Sequence, residues 1–271
     1  MTMDNQQLWT QFFQAEPDRV VFLRLGRFKL WLARAEREWA LAFAEGSDTD
    51  LHSISRVPMD VVPADLKWVR YGFRKAPNVF KVLPRTPDRP IVLRPPDLIH
   101  LPPGESVPVC AVFPARVAIQ FGEGSGCETD SVQTQVLSDT WFGSREEGHL
   151  CYAIEHPVGD FESGIEAQPN EIVCPVQIEN QTKEDLVFER LCLRTRHLSL
   201  FAGRNHLWST PVHIRYTEGD PPARFDYPVQ PPSLEKGLRR VYQAEQPEEK
   251  VFHRFVFGRT FGADFQAQVR K

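Results

Sequence analysis

Apolar and polar positions alternate along almost the whole chain, and a period of two is the signature of half-buried strands. In "GRFKLWLAR", Phe28, Leu30 and Leu32 fall on one face, with Lys29 and Trp31 on the other. "EWALAFAE" repeats the pattern with Trp39, Leu41 and Phe43. The connecting "ARAERE" has strong helix propensity, so a helix over Ala33 to Ala44 competes. Residues at period two would scatter around such a helix, and the pattern therefore predicts a hairpin.

The series continues. "LKWVRYGFR" and "NVFKVL" read as strands, closed by "PRTPDRP", whose prolines suit a linker or a sharp crossing. "IVLR" follows, then "SVPVCAVF" with Val107, Val109, Ala111 and Phe113 on one face, then "RVAIQF" with Val117, Ile119 and Phe121. Six more strand candidates are "HLCYAIEH", "IVCPVQIEN", "DLVFERLCLRTRHL", "HLWSTPVHIRYT", "RRVYQAE" and "KVFHRFVFG". Two polar stretches, "AEGSDTDLHSISRVP" and the glycine-rich "GEGSGCETD", read as loops, the second a mobile one. No stretch predicts a helix of three turns.

Short strands broken by turn residues indicate an all-β fold, an antiparallel β-sandwich with immunoglobulin-like elements and very little helix. The proline cluster at Pro84 to Pro90 divides the chain into an N-terminal β-rich subdomain, 1–84, and a β-sandwich domain, 85–271. A single interlocked β domain would show the same cluster. In "LIHLPPGES", Pro103 presets φ and Gly104 supplies the positive φ of a type II turn. "VQIENQTKEDLVFERLCL" repeats that logic of strand, polar turn and strand.

Composition narrows the classes. The 271 residues are 41% apolar and 25% charged, an ordinary soluble balance with enough chain for a real core. The 23 prolines exceed the average usage of roughly 5% and fit frequent corners and edge strands. A net charge of −4 argues against nucleic acid as a partner. No apolar run approaches the ~20 residues of a membrane-spanning helix, so no membrane-spanning segment is expected. The start, "MTMDNQQLWTQFFQ", lacks the basic and apolar regions of a secretory signal. Five cysteines form an odd set without a CxxC pair. Buried free thiols in a cytoplasmic protein are the expectation.

At "GRFKLWL", "RPIVLRPPDLIHLPPGESVPVCAVFPARVAIQF" and "VCPVQIENQTKEDLVFERLCL" the chain resembles the family called domain of unknown function 432. The likeness runs from about Leu25 to Phe261. It implies an all-β prokaryotic protein with no established activity and no catalytic residues to carry over.

Motifs for chemistry are few. "GEGSGC" lacks the spacing of a phosphate-binding loop, and Glu123 stands where a nucleophile elbow needs Gly. None of the eight histidines forms HxH or HxxxH. His197, His206 and His213 could converge only through strand pairing, and neither a metal nor another cofactor is expected. Asp48 to Asp50, "DTD", lacks the rest of a calcium loop. Cys110, Cys174 and Cys192 sit among apolar neighbours as inert thiols, while Cys127 lies in the glycine-rich loop beside Glu128 and Asp130. Trp68, Trp141 and Trp208 read as core anchors. Exposed, they would suggest a protein or sugar platform.

The arginines are the most suggestive feature. The chain from Glu155 to Asp185 is acidic, whereas Leu186 to Arg224 carries Arg190, Arg194, Arg196, Arg204, Arg215 and Arg224. Arg190, Arg194 and Arg196 fall at even spacing, on one face of a strand, with Arg215 on a neighbouring strand. A solvated face paired with the acidic stretch accounts for them; a cradle for an anion is the sharper alternative. The leading expectation is a non-enzymatic cytoplasmic binding or assembly module, meeting a protein partner or itself. The alternative is a small-anion-binding protein or enzyme with a site built from Arg190, Arg194, Arg196, Arg215, His197 and His213. A concave pocket holding these residues would favour the second, an open flat face the first.

Overall fold

The computed structural model describes residues 4–17, 19–46, 53–57, 61–95, 97–154, 166–247, 250–253 and 257–258. The fold is all-β and sandwich-like. The one α-helix among the described residues, Asn5–Thr10, is held by a capping box in which Asp4 accepts from the Gln7 amide and the Gln7 side chain accepts from the Asp4 amide. Leu8 and Trp9 anchor that helix in the core.

The hairpin reading of the N-terminal segment holds. Phe28–Arg34 pairs with Glu38–Glu45 from Phe28–Glu45 to Arg34–Trp39. Flanking strands Val20–Leu25, Ser53–Val57 and Val69–Gly72 complete a five-stranded antiparallel sheet. Part of the polar stretch read as a loop is thus a strand, Ser53–Val57, because it supplies backbone partners to Val20–Leu25. The "DTD" segment lies outside the described residues.

A second sheet joins Val79–Arg85 to Arg116–Phe121, with Phe13–Gln14, Cys127–Glu128 and Val132–Gln133 as short neighbours. The first of these strands runs through Pro84, which the sequence had assigned to a linker. The glycine-rich stretch is a tight turn: Gly122, at φ +84°, turns the chain so that Cys127–Glu128 pairs back on Arg116–Phe121.

The largest sheet centres on Glu171–Asn180, paired along nine residues with Ser106–Pro114. The expected turn at Pro102 to Glu105 is present, with Gly104 at φ +77° and the Glu105 amide donating to the Pro102 carbonyl at 3.2 Å. Its two strands do not pair with each other. Ile99–Leu101 pairs with Leu186–Phe188, so the two strand–turn–strand segments are cross-linked to one another. Asn180 locks the crossing. Its side-chain amide donates to the Leu101 and Glu184 carbonyls, each at 2.8 Å, and its backbone exchanges hydrogen bonds with Gly104 and Glu105.

Most pairings are antiparallel, as expected of the sandwich, and three are parallel. Ile91–Leu93 lies parallel to His149–Ile154, and Glu171–Asn180 lies parallel to both Leu207–Ser209 and Val212–Tyr216. Long connections bring these strands together, and no tight hairpin constrains their direction. One apolar core draws on every sheet, from Leu23, Trp39 and Phe80 to Phe113, Phe188, Leu191 and Ile214. Trp39 stacks on Phe121 at 4.8 Å and donates its indole N–H to the Pro77 carbonyl at 3.0 Å.

The sheet that carries the site orders Ser138–Phe142, His149–Ile154, Ile91–Leu93, Arg190–Leu193 and Phe257–Gly258. Leu191 and Leu193 enter the main core, whereas Cys192 joins Val92, Phe142 and Cys151 in a separate cluster. Strand alternation therefore puts Arg190 and Arg194 on the Cys192 face.

Candidate functional site

The run "DLVFERLCLRTRHL" is not one strand. It crosses sheets at Glu189, and after Leu193 it closes into a single 3₁₀ turn, Thr195–His197. This break corrects the expectation that Arg190, Arg194 and Arg196 share one strand face. Arg190 belongs to the strand, Arg194 follows its last residue, and Arg196 sits in the turn.

That turn forms one wall of a cleft of about 210 Å³, lined by Arg194, Thr195 and Arg196, by Asp88, Arg89 and Pro90, and by His149 and Leu150. Thr195 is 2% exposed, and its hydroxyl lies 2.8 Å from the Pro87 carbonyl and 3.0 Å from that of Arg89. It thereby staples the two walls. The floor is registered separately, since the Tyr152 amide donates to the Pro90 carbonyl at 2.9 Å.

The cleft is electrostatically uneven. Arg194 is only 4% exposed, while Arg196 and His149 reach solvent. Burial, and then the Arg194 and Arg196 charges, hold the His149 imidazole below its ordinary pKa of 6.5. Arg89 donates to Asp139 at 2.8 Å and lies 5.2 Å over the Tyr152 ring. Asp88 is bound from behind, accepting on Oδ1 from the Tyr152 hydroxyl at 3.0 Å and facing Arg116 Nη1 at 3.3 Å.

Other residues singled out in the sequence lie elsewhere. Arg190 lines a smaller cleft of about 70 Å³ with Arg94 and Thr140, and its guanidinium lies 5.7 Å over the Phe142 ring. Arg94 stands one position beyond the Leu93–Leu191 pair, across from Arg190. Arg215 does not neighbour the Arg190 strand, a second correction. It belongs to the large sheet, where it pairs with Asp226 and faces Glu179 at 3.4 Å, while Arg224 holds Asp226 at 3.0 Å. Complementary charge on neighbouring strands describes that patch well. His213 lies beside Gln177 and Asp226 in the same sheet.

His197 is a packed residue. Its Nδ1 contacts the Gln246 carbonyl at 2.8 Å, Nε2 accepts from Arg196 Nε at 3.3 Å, and the ring stacks on Tyr227 at 5.1 Å. His206 packs edge-on to Trp208. Among the described residues no group of three or more His, Cys, Asp or Glu is placed to hold a metal ion.

Two tryptophans correct the core assignment. Trp208 is buried, donating to Glu235 at 2.7 Å, but Trp141 is 50% exposed opposite Leu150, and Trp68 is half-buried. The thiols follow expectation: Cys110, Cys151, Cys174 and Cys192 are buried and Cys127 is exposed, all unpaired by disulfides. Burial pushes Cys110 and Cys174 up to about 12. Cys151 is raised further by its hydrogen bond with Cys192.

Sequence reasoning missed Asp88, Arg89 and His149. The signal available was "PDRP", where prolines hold a charged pair in an extended corner. Nothing local linked it to the turn at Arg194.

Fold and site together define an all-β, sandwich-like protein with an arginine-lined cleft at the end of one sheet. Comparison with known families places it further. The chain belongs to the family described as Protein of unknown function (DUF432), whose model matches residues 10–265. No curated protein and no solved structure matches it.

Proposed function

We propose that the protein is a binding module whose ligand is a small anion held in the Arg194–Arg196–His149 cleft. The observation that carries this reading is the convergence of a nearly buried guanidinium, a solvent-reaching one and an imidazole on a single concavity. Guanidinium groups offer fixed pairs of N–H donors that match carboxylate and phosphate oxygens. Burial first, and then the Arg194 and Arg196 charges, lower the His149 pKa, and an anion would relieve the second of these. A cytoplasmic setting in a prokaryotic cell belongs to the same proposal, and four free thiols buried in the protein support the reducing compartment. No helix among the described residues is long and apolar enough to cross a membrane.

Calorimetric titration with methyl phosphate tests the reading. Binding should weaken about tenfold in Arg196→Gln, the loss of one charge-assisted contact. It should also weaken with salt. Absence of saturable binding, or an affinity indifferent to Arg196→Gln, would refute it.

A further inference from the structure

The lining of the cleft is dipolar, and that narrows the ligand. Arg194, Arg196 and His149 supply its positive side, and Asp88 lines the same cleft. An acid beside four basic groups, Arg89 among them, would ordinarily collapse onto one as an internal ion pair, but Arg89 is itself engaged by Asp139 at 2.8 Å. Asp88 is instead held by the Tyr152 hydroxyl at 3.0 Å and Arg116 at 3.3 Å, neither of which lines the cleft. Both contacts fall on Oδ1. An ionised carboxylate only accepts hydrogen bonds, with capacity for several donors, so with both contacts on Oδ1 the Asp88 carboxylate keeps acceptor capacity for a ligand. Guanidinium groups only donate. A plain oxyanion satisfies the arginines but is repelled by Asp88, and no bound cation is needed to account for the acid's position.

Resting on the anion-binding reading above, we infer that the cleft selects an anion carrying its own hydrogen-bond donor, a hydroxyl, a few bonds from the charged group. Its anionic end meets Arg194 and Arg196, and its hydroxyl donates to Asp88. The class is that of small polyol phosphates and hydroxy acids, which the volume of about 210 Å³ accommodates. Tyr152 and Arg116 are positioning residues that keep the carboxylate turned to this task.

A two-ligand, two-variant titration decides the matter. Glycerol 3-phosphate and methyl phosphate share the phosphate monoester and differ in the hydroxyls. The wild-type protein should bind glycerol 3-phosphate about tenfold more tightly than methyl phosphate, the effect of one hydrogen bond to a charged acceptor. In Asp88→Asn the two affinities should converge, methyl phosphate gaining as the repulsion is removed and glycerol 3-phosphate losing its partner. The asparagine keeps an acceptor for Tyr152, and a thermal melt of Asp88→Asn within a few degrees of wild type certifies the fold. If the variant misfolds, Tyr152→Phe serves instead, because it loosens the carboxylate without touching the ligand and should shrink the preference. Equal wild-type affinities, or an Asp88→Asn variant that tightens both ligands by the same factor, would overturn the inference while leaving the anion site intact. Failure of methyl phosphate to bind at all would remove the anion site and this inference with it.

Discussion

Thr195→Val is the sharpest perturbation of the cleft, because it removes a hydroxyl without removing volume or charge. The Thr195 Oγ1 lies 2.8 Å from the Pro87 carbonyl and 3.0 Å from the Arg89 carbonyl, in a residue 2% exposed. A single hydroxyl proton is shared between the two acceptors. Its loss leaves both carbonyls facing a methyl group, so the cost combines one net hydrogen bond with the desolvation of an unsatisfied acceptor. That sum is about 1–3 kcal/mol. Urea unfolding followed by tryptophan fluorescence should show the midpoint falling with an unchanged slope. The same staple sets the spacing between Arg89 and Arg194, so methyl phosphate affinity should fall severalfold although every charged group remains. A stability change below about 0.5 kcal/mol, within the range of an ordinary surface substitution, would show that the walls are held by something other than this hydroxyl.

Other outcomes follow from single residues. Asn180→Ala removes two donated bonds of 2.8 Å and those that its Oδ1 accepts from Thr182, in a fully buried residue, and should cost about 2–4 kcal/mol in urea unfolding. Because the His149 pKa is lowered in the folded protein, its protonation opposes folding, and its contribution weakens stability as pH falls below 6.5. Anion binding offsets the Arg194 and Arg196 charges and draws a proton onto His149, so methyl sulfate, whose own charge is constant in this range, should bind more tightly toward acid pH; calorimetry in buffers of differing ionisation heat reads the uptake, and His149→Gln should abolish it. A thiol-reactive chromogenic disulfide at pH 8 should titrate Cys127 alone in the native protein and all five thiols in guanidinium chloride, since the other four are buried.

Local features were legible because their causes are local. Period-two alternation reflects side chains pointing to opposite faces of an extended backbone, and it settled Phe28–Arg34 against Glu38–Glu45 as a hairpin over a helix. The Pro103–Gly104 turn followed from the φ each residue prefers. The inert thiols followed from apolar neighbours. The same alternation also placed Arg190 and Arg194 on one face, although the strand ends before Arg196.

Pairing was decided elsewhere. Ile99–Leu101 meets Leu186–Phe188, and Ile91–Leu93 sits between His149–Ile154 and Arg190–Leu193, through backbone hydrogen bonds that any residue except proline can donate. Such bonds carry no side-chain signature in the sequence. Trp141 looked like a core residue by composition and lies half in solvent because, on an edge strand, alternation turns it and its partner Leu150 to the face opposite the buried Phe142 and Cys151. Sequence alone determined most of the strands, the Pro103–Gly104 turn and the chemistry each residue could offer. Only the tertiary structure decided that Asp88, His149 and Arg194, far apart along the chain, line one cleft, because that convergence depends on which strands pair and where one of them stops.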